Sequence, residues 1–256
     1  MDSFTVPYNA IAEEVIMVEK LAPMREQVYI DPRPPETFTK AHQRVRTQKP
    51  SLIHELARVV TGLPGFLLYR MGPIGARYVW RPGPMIIAPN HFSNFDHFIG
   101  GWFTWHRVHF MAKSQMLANR FLIWFFSSGG TFPVQRGQRD EASMVTARTL
   151  LERGRVVVMY CEGGRSRSGK LADAPKRGIG RLALETGTRV VPCAIYGSER
   201  IRNWKKLQFP KITIEYGAPL RFEVIDSPTR EQEEWAAKVI HDRIRRIYAG
   251  LEARKS

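Results

Sequence analysis

Short apolar runs that stop at a turn and give way to a helical pattern recur along most of this chain, and that alternation calls for a sheet covered by helices. Candidate strands are residues 77–80, 85–88, 108–112, 131–134, 156–160, 190–196 and 211–216. Helical runs at 95–105, 115–127, 141–153 and 176–186 lie between several of them, and a last one, 228–251, closes the chain. Runs such as Met85-Ile86-Ile87-Ala88 are apolar throughout rather than alternating, as in strands buried on both faces. The expected fold is a single α/β domain with a mostly parallel or mixed sheet flanked by helices.

At 256 residues, 43% of them hydrophobic, one principal core is the default, and no internal repeat or low-complexity tract marks a second. Residues 1–50 read differently: weak apolar periodicity at 11–17, the proline-rich stretch 31–36 and a basic arm at 40–49 suggest a partly disordered extension. The domain is expected over 51–256. Its lead-in, 51–76, reads as two short apolar helices, the first capped by Ser51 and the two separated by Gly62-Leu63-Pro64-Gly65. Arg58, Arg70 and Arg77 punctuate this segment, so it either lies in a headgroup layer as a membrane-contacting lead-in or simply covers the sheet.

No run reaches the roughly eighteen apolar residues of a membrane span, so membrane contact is expected to be peripheral or monotopic. No signal-peptide pattern is evident, and Cys161 and Cys193, both in or against apolar runs, argue against a disulfide framework. Placement at the cytoplasmic face of a membrane follows. The formal charge of +15 asks for an anionic partner: nucleic acid, a membrane surface or phosphorylated ligands.

Chemistry concentrates where strands end, the usual location of sites in open α/β sheets. After the run at 85–88 and Pro89 come His91 and Asp96, a spacing that lets the carboxylate fix the imidazole tautomer and stabilise the imidazolium. Such a pair is a general base, and without a serine or cysteine nucleophile at a matching spacing, direct attack by a substrate hydroxyl is the natural reaction. After 131–134 comes Arg136, suited to bidentate grip on a phosphate. After 156–160 come Glu162, Gly163, Gly164, Arg165 and Ser166: backbone N–H groups, a guanidinium fork and a hydroxyl that together suit a phosphate. The lysine-serine/threonine end of a P-loop is missing, which argues against nucleotide hydrolysis.

Four blocks, His91-x4-Asp96, Phe132 to Arg136, Glu162 to Ser166 and Val191 to Gly197, resemble in order and separation the four motifs of the glycerophospholipid acyltransferases, of the bacterial 1-acylglycerol-3-phosphate acyltransferase type. The resemblance covers roughly residues 85–219. It implies transfer of a fatty acyl group from acyl-CoA or acyl carrier protein, as co-substrate rather than cofactor, to a lysophospholipid, foremost lysophosphatidic acid. His91 would be the base and Asp96 its orienter. Arg136, Gly163, Gly164, Arg165 and Ser166 would hold the acceptor phosphate, Glu162 would organise that loop, and Pro192 would wall the thioester. Gly164 stands where many members carry threonine. An anionic membrane surface is the implied partner.

Other readings compete. His91, Asp96, His97, His106 and His109 are metal-ligand types, but their spacings match no familiar set, so no metal is expected. Trp102, Trp105 and Trp204 among arginines could stack bases, but two of them fall in an apolar helix, so no specific nucleic acid is expected. A lipid-binding protein without turnover is the third alternative. The run at 121–126, with Trp124 and Phe126, packs as core or lines an acyl groove.

Overall fold

The computed structural model describes residues 4–7, 21–23, 30–136, 140–166 and 168–254. In chain order the elements are β1 (Phe4–Val6), α1 (Thr39–Thr47), α2 (Leu52–Leu67), β2 (Gly72–Ile74), α3 (Arg77–Trp80), β3 (Met85–Pro89), α4 (Asp96–Trp102), β4 (Val108–Lys113) and α5 (Arg120–Ser128). They continue with β5 (Thr131–Val134), α6 (Glu141–Glu152), β6 (Val156–Val158), α7 (Gly178–Thr186), β7 (Val190–Tyr196), β8 (Thr213–Tyr216), β9 (Leu220–Phe222) and α8 (Arg230–Ala253).

Five strands, ordered β5-β4-β6-β3-β7, run parallel and form the heart of the sheet. The segment β8–β9 returns antiparallel along β7, and β2 and β1 add to its outer side in parallel. The sheet is therefore mixed but mostly parallel, as the alternating pattern requires. Every residue of β3 is buried, and its side chains divide by parity. Ile86 and Ala88 pack with α6, α7 and α8, whereas Met85 and Ile87 pack with Val79, Ile99 and the chain around Tyr69 and Met71. Helices on both faces thus make one α/β domain.

Three expectations change. Residues 77–80 form one helical turn, not a strand: Gly75, at φ +69°, starts a turn closed by N–H bonds from Tyr78 to Gly75 and from Val79 to Ala76. The basic arm is the packed helix α1, with Phe38, Ala41 and Val45 buried and His42 Nδ1 2.9 Å from Thr146 Oγ1. Arg33 ties the preceding loop down by donating to the Leu117 and Ser114 carbonyls. The periodicity at 11–17 lies outside the described residues.

The lead-in is one helix, α2, which continues through Pro64. Gly62 is no breaker: a Cβ there would overlap the Trp102 indole, whose Nε1–H donates to the Arg58 carbonyl at 2.9 Å. The glycine side therefore faces the domain. Leu52, Leu56, Val59, Val60, Leu63 and Leu67, at helical spacing, are all more than 60% exposed, so this face does not cover the sheet. Among the described residues no helix is long and apolar enough to cross a membrane.

Candidate active site

The parallel strands end on one side, and three of those ends carry the polar side chains. Beyond β3, the buried amide of Asn90 pairs with both backbone groups of Ile195, accepting its N–H at 2.7 Å and donating to its carbonyl at 3.1 Å. This locks the exit of β3 to β7. The chain then turns around the Asp96 carboxylate, whose Oδ2 accepts the backbone N–H groups of Phe92 and Ser93, each at 2.6 Å, and His91 Nδ1 at 3.0 Å. Asp96 is the first residue of α4, where a negative charge suits the helix dipole.

With Nδ1–H donating to Asp96, Nε2 of His91 is the basic nitrogen. Burial lowers the His91 pKa from its ordinary 6.5, while the Asp96 hydrogen bond and charge pull it up and the charges of Arg165 and Arg136 push it further down. At neutral pH the ring is a free base. It stacks on the Tyr160 ring at 4.1 Å and meets the His97 ring edge-on at 4.8 Å.

The second strand end is the loop after β6. Gly163, at φ +61°, is left-handed and donates to the Tyr160 carbonyl at 3.2 Å, turning the chain so that Ser166 N–H donates to the His91 carbonyl at 2.8 Å. Base and loop are thereby joined backbone to backbone. The third is the end of β5, where the Asp140 carboxylate caps α6 and also accepts the Gln135 N–H at 2.7 Å, setting the path of the chain into Arg136. A Cβ on Gly164 would lie 3.5 Å from Arg136 Nη1. The Arg136 pKa falls to about 10 through burial and the Arg165 charge, so two cationic groups are held near each other, an arrangement that an anion relieves.

Glu162 is buried, and desolvation pushes its carboxyl up to about 8; the Ala172 and His91 N–H groups pull it down and the Asp96 charge adds to the rise. It is protonated at pH 7 and does not oppose an anion. Burial drives the Cys161 thiol far above its ordinary range, which removes it as a nucleophile.

An apolar cavity of about 480 Å³ lies between α2, α4, β4 and α5, walled by Ala57, Val60, Phe98, Phe110, Phe125 and Phe126, with His97 also in its lining. The expected site residues His91, Asp96, Arg136 and 162–166 come together. Phe126 reaches the cavity, but Trp124 stays partly exposed outside it and Pro192 is buried in β7 opposite Ala88, away from its lining. The run at 121–126 is not plain core, since Phe121 is 65% exposed. His106 contacts the Arg81 carbonyl and His109 the Gly130 carbonyl, so neither joins His91. Asn90, His97 and Tyr160 were missed as site residues; the signal for Asn90 was its place between a buried strand and His91.

A family model described as Acyltransferase matches residues 74–196, which spans the β3 corner, the arginine of β5 and the glycine loop. Over that segment the chain is similar to the acyltransferases. It is 26% identical over 149 residues to the 1-acyl-sn-glycerol-3-phosphate acyltransferase of Bacillus subtilis (strain 168), covering 57% of this chain and 72% of that one. It is 28% identical over 164 residues to the enzyme of the same name from Limnanthes douglasii, covering 61% of this chain and 56% of that one. Its fold is similar to the crystal structure of the 1-acyl-sn-glycerophosphate (LPA) acyltransferase PlsC from Thermotoga maritima, with a TM-score of 0.58, 19% identity and coverage of 83% of this chain and 80% of that one. The likeness of fold therefore extends well beyond the matched segment.

Proposed function

We propose that this chain moves a fatty acyl group from an acyl thioester, acyl-CoA or acyl carrier protein, to the free hydroxyl of lysophosphatidic acid, giving phosphatidic acid. The observation that carries the reading is the apolar cavity lined by His97, whose ring touches His91 of the buried His–Asp pair, with two arginines close enough to depress the His91 pKa. Its volume suits a chain-like ligand and lies within the roughly 300–1,000 Å³ of small-molecule sites. The names of the two curated relatives support the same acceptor.

His91 Nε2 takes the proton of the acceptor hydroxyl as its oxygen bonds to the thioester carbon, and the carbonyl pair moves onto oxygen. Collapse of this tetrahedral species re-forms the carbonyl and breaks the C–S bond, and the thiolate leaves with the proton from His91. Asp96 holds the ring and stabilises its charged form between the two steps. Arg136, Arg165 and the Gly164 N–H hold the acceptor phosphate, the N–H groups of Gly163 and Ser166 being engaged by the Tyr160 and His91 carbonyls.

The outward face of α2 supports work at a bilayer. Burying each of its exposed leucines and valines is worth about 1.5–3 kcal/mol, and basic residues near an anionic surface add about 1 kcal/mol each. Peripheral attachment at the cytoplasmic face follows, with the charge of +15 drawing the protein to anionic lipid. A second acceptor class rests on Gly164, whose missing side chain leaves room for a larger headgroup beside Arg136. Mass spectrometry of lipid formed from oleoyl-CoA and a mixture of lysophospholipids tests both: phosphatidic acid as main product supports the first, acylation confined to larger headgroups the second, and no acylated lipid refutes both.

A further inference from the structure

His97 lies on the first turn of α4, next to Asp96, and the transfer above leaves it idle. Its ring meets His91 at 4.8 Å, Tyr160 at 5.1 Å and an interplanar angle of 88°, and Phe110 at 6.1 Å, and it also lines the apolar cavity. Among the described residues it alone both lines the cavity and lies in ring contact with His91. No hydrogen bond to another described residue occupies its ring nitrogens. An acyl thioester whose chain fills the cavity and whose carbonyl carbon faces the His91 base has one polar atom left at this junction, the carbonyl oxygen.

We propose that His97 is a catalytic residue that donates a ring N–H to the thioester carbonyl oxygen and stabilises the oxyanion developing there. The proposal rests on the acyl-transfer reading and supplies the oxyanion donor that the sequence left unnamed. As the acceptor oxygen bonds to carbon and its proton passes to His91, negative charge grows on the oxygen facing His97. When the carbonyl re-forms and the thiolate leaves with the His91 proton, His97 is unchanged. Its protonation fits. Burial first, then the influence of His91, Arg136 and Arg165, holds its pKa down to about 3. With Tyr160 and Phe110 also packed on it, the ring stays neutral and donates without competing with His91 for the proton.

The test compares folded His97→Phe, which keeps the aromatic packing, with His97→Gln, which keeps an N–H donor. The assay is thiol release from oleoyl-CoA with lysophosphatidic acid. His97→Phe is expected to lower kcat about 10²-fold with KM for the thioester nearly unchanged, and His97→Gln to recover about tenfold of that loss. The loss should be the same from about pH 5.5 to about pH 8.5, since a neutral donor does not titrate there. A His97→Phe enzyme within about threefold of wild type, a His97→Gln enzyme no better than it, or a loss that varies with pH overturns the role of His97 while wild-type turnover leaves the transfer standing. Wild-type protein that releases no thiol under any pairing overturns the transfer itself. Should His97→Phe not fold, His97→Leu and His97→Asn make the same comparison.

Discussion

The corner that holds His91 and the loop that faces Arg136 are built from opposite materials. In the corner, Asp96 gathers two backbone N–H groups and the imidazole on one buried oxygen, and Asn90 pins the strand beneath. The loop instead sets glycines against two long guanidinium side chains, with few described atoms packed around Gly164. The corner is pre-organised, and on the proposed reading it would set the reaction type. On the same reading the loop would set the acceptor. Substitutions in the first should therefore appear in kcat and those in the second in KM.

The largest effect is expected from Asp96→Asn, which presents His91 with an ambiguous tautomer. The kcat for acyl transfer should fall about 10³- to 10⁴-fold with little change in KM, as steady-state thiol release would record. A smaller loss confined to KM would break the comparison. Next come Arg165→Ala and Arg136→Ala. Losing a charge-assisted hydrogen bond of about 1.5–3 kcal/mol raises KM for a phosphate-bearing acceptor roughly 10- to 100-fold, while KM for the thioester holds.

The pH profile sharpens the same division. His91 acts as a base only when neutral, and its pKa lies below 6.5 because burial disfavours the imidazolium. Hence the midpoint of the acid limb of kcat/KM should lie below 6.5; a midpoint above 6.5 would mean the base is more exposed than its burial indicates. The smallest effect belongs to Gly164→Thr. Among the described residues an added Cβ meets only Arg136 Nη1, at 3.5 Å, so the protein should keep its melting temperature and change activity by less than about threefold, with a shift among acceptors.

Much of this was legible in the sequence because β3, β5 and β7 are apolar runs bounded by turn residues, and residues 131–134 and 190–196 form strands with the expected limits. The His91–Asp96 pair was legible because both partners lie within one turn. What the chain order hid was tertiary. Residues 77–80 are too short to show a period, and Gly75 decides their conformation. Gly62 and Gly65 looked like breakers but are the places where Trp102 and Met71 pack. The basic arm looked solvated until Thr146, about a hundred residues away, supplied a partner for His42. His97 entered only as a rival metal ligand, since its contacts come from Phe110 on β4 and from Tyr160 just after β6.

One measurement bears most directly on direct, base-assisted transfer: acceptor-dependent thiol release from oleoyl-CoA by wild type and by folded His91→Ala on vesicles containing lysophosphatidic acid. The account requires release that depends on the acceptor and falls about 10²- to 10⁴-fold in kcat in the variant. Equal release with and without lysophosphatidic acid, or a His91→Ala enzyme as fast as wild type, would contradict it.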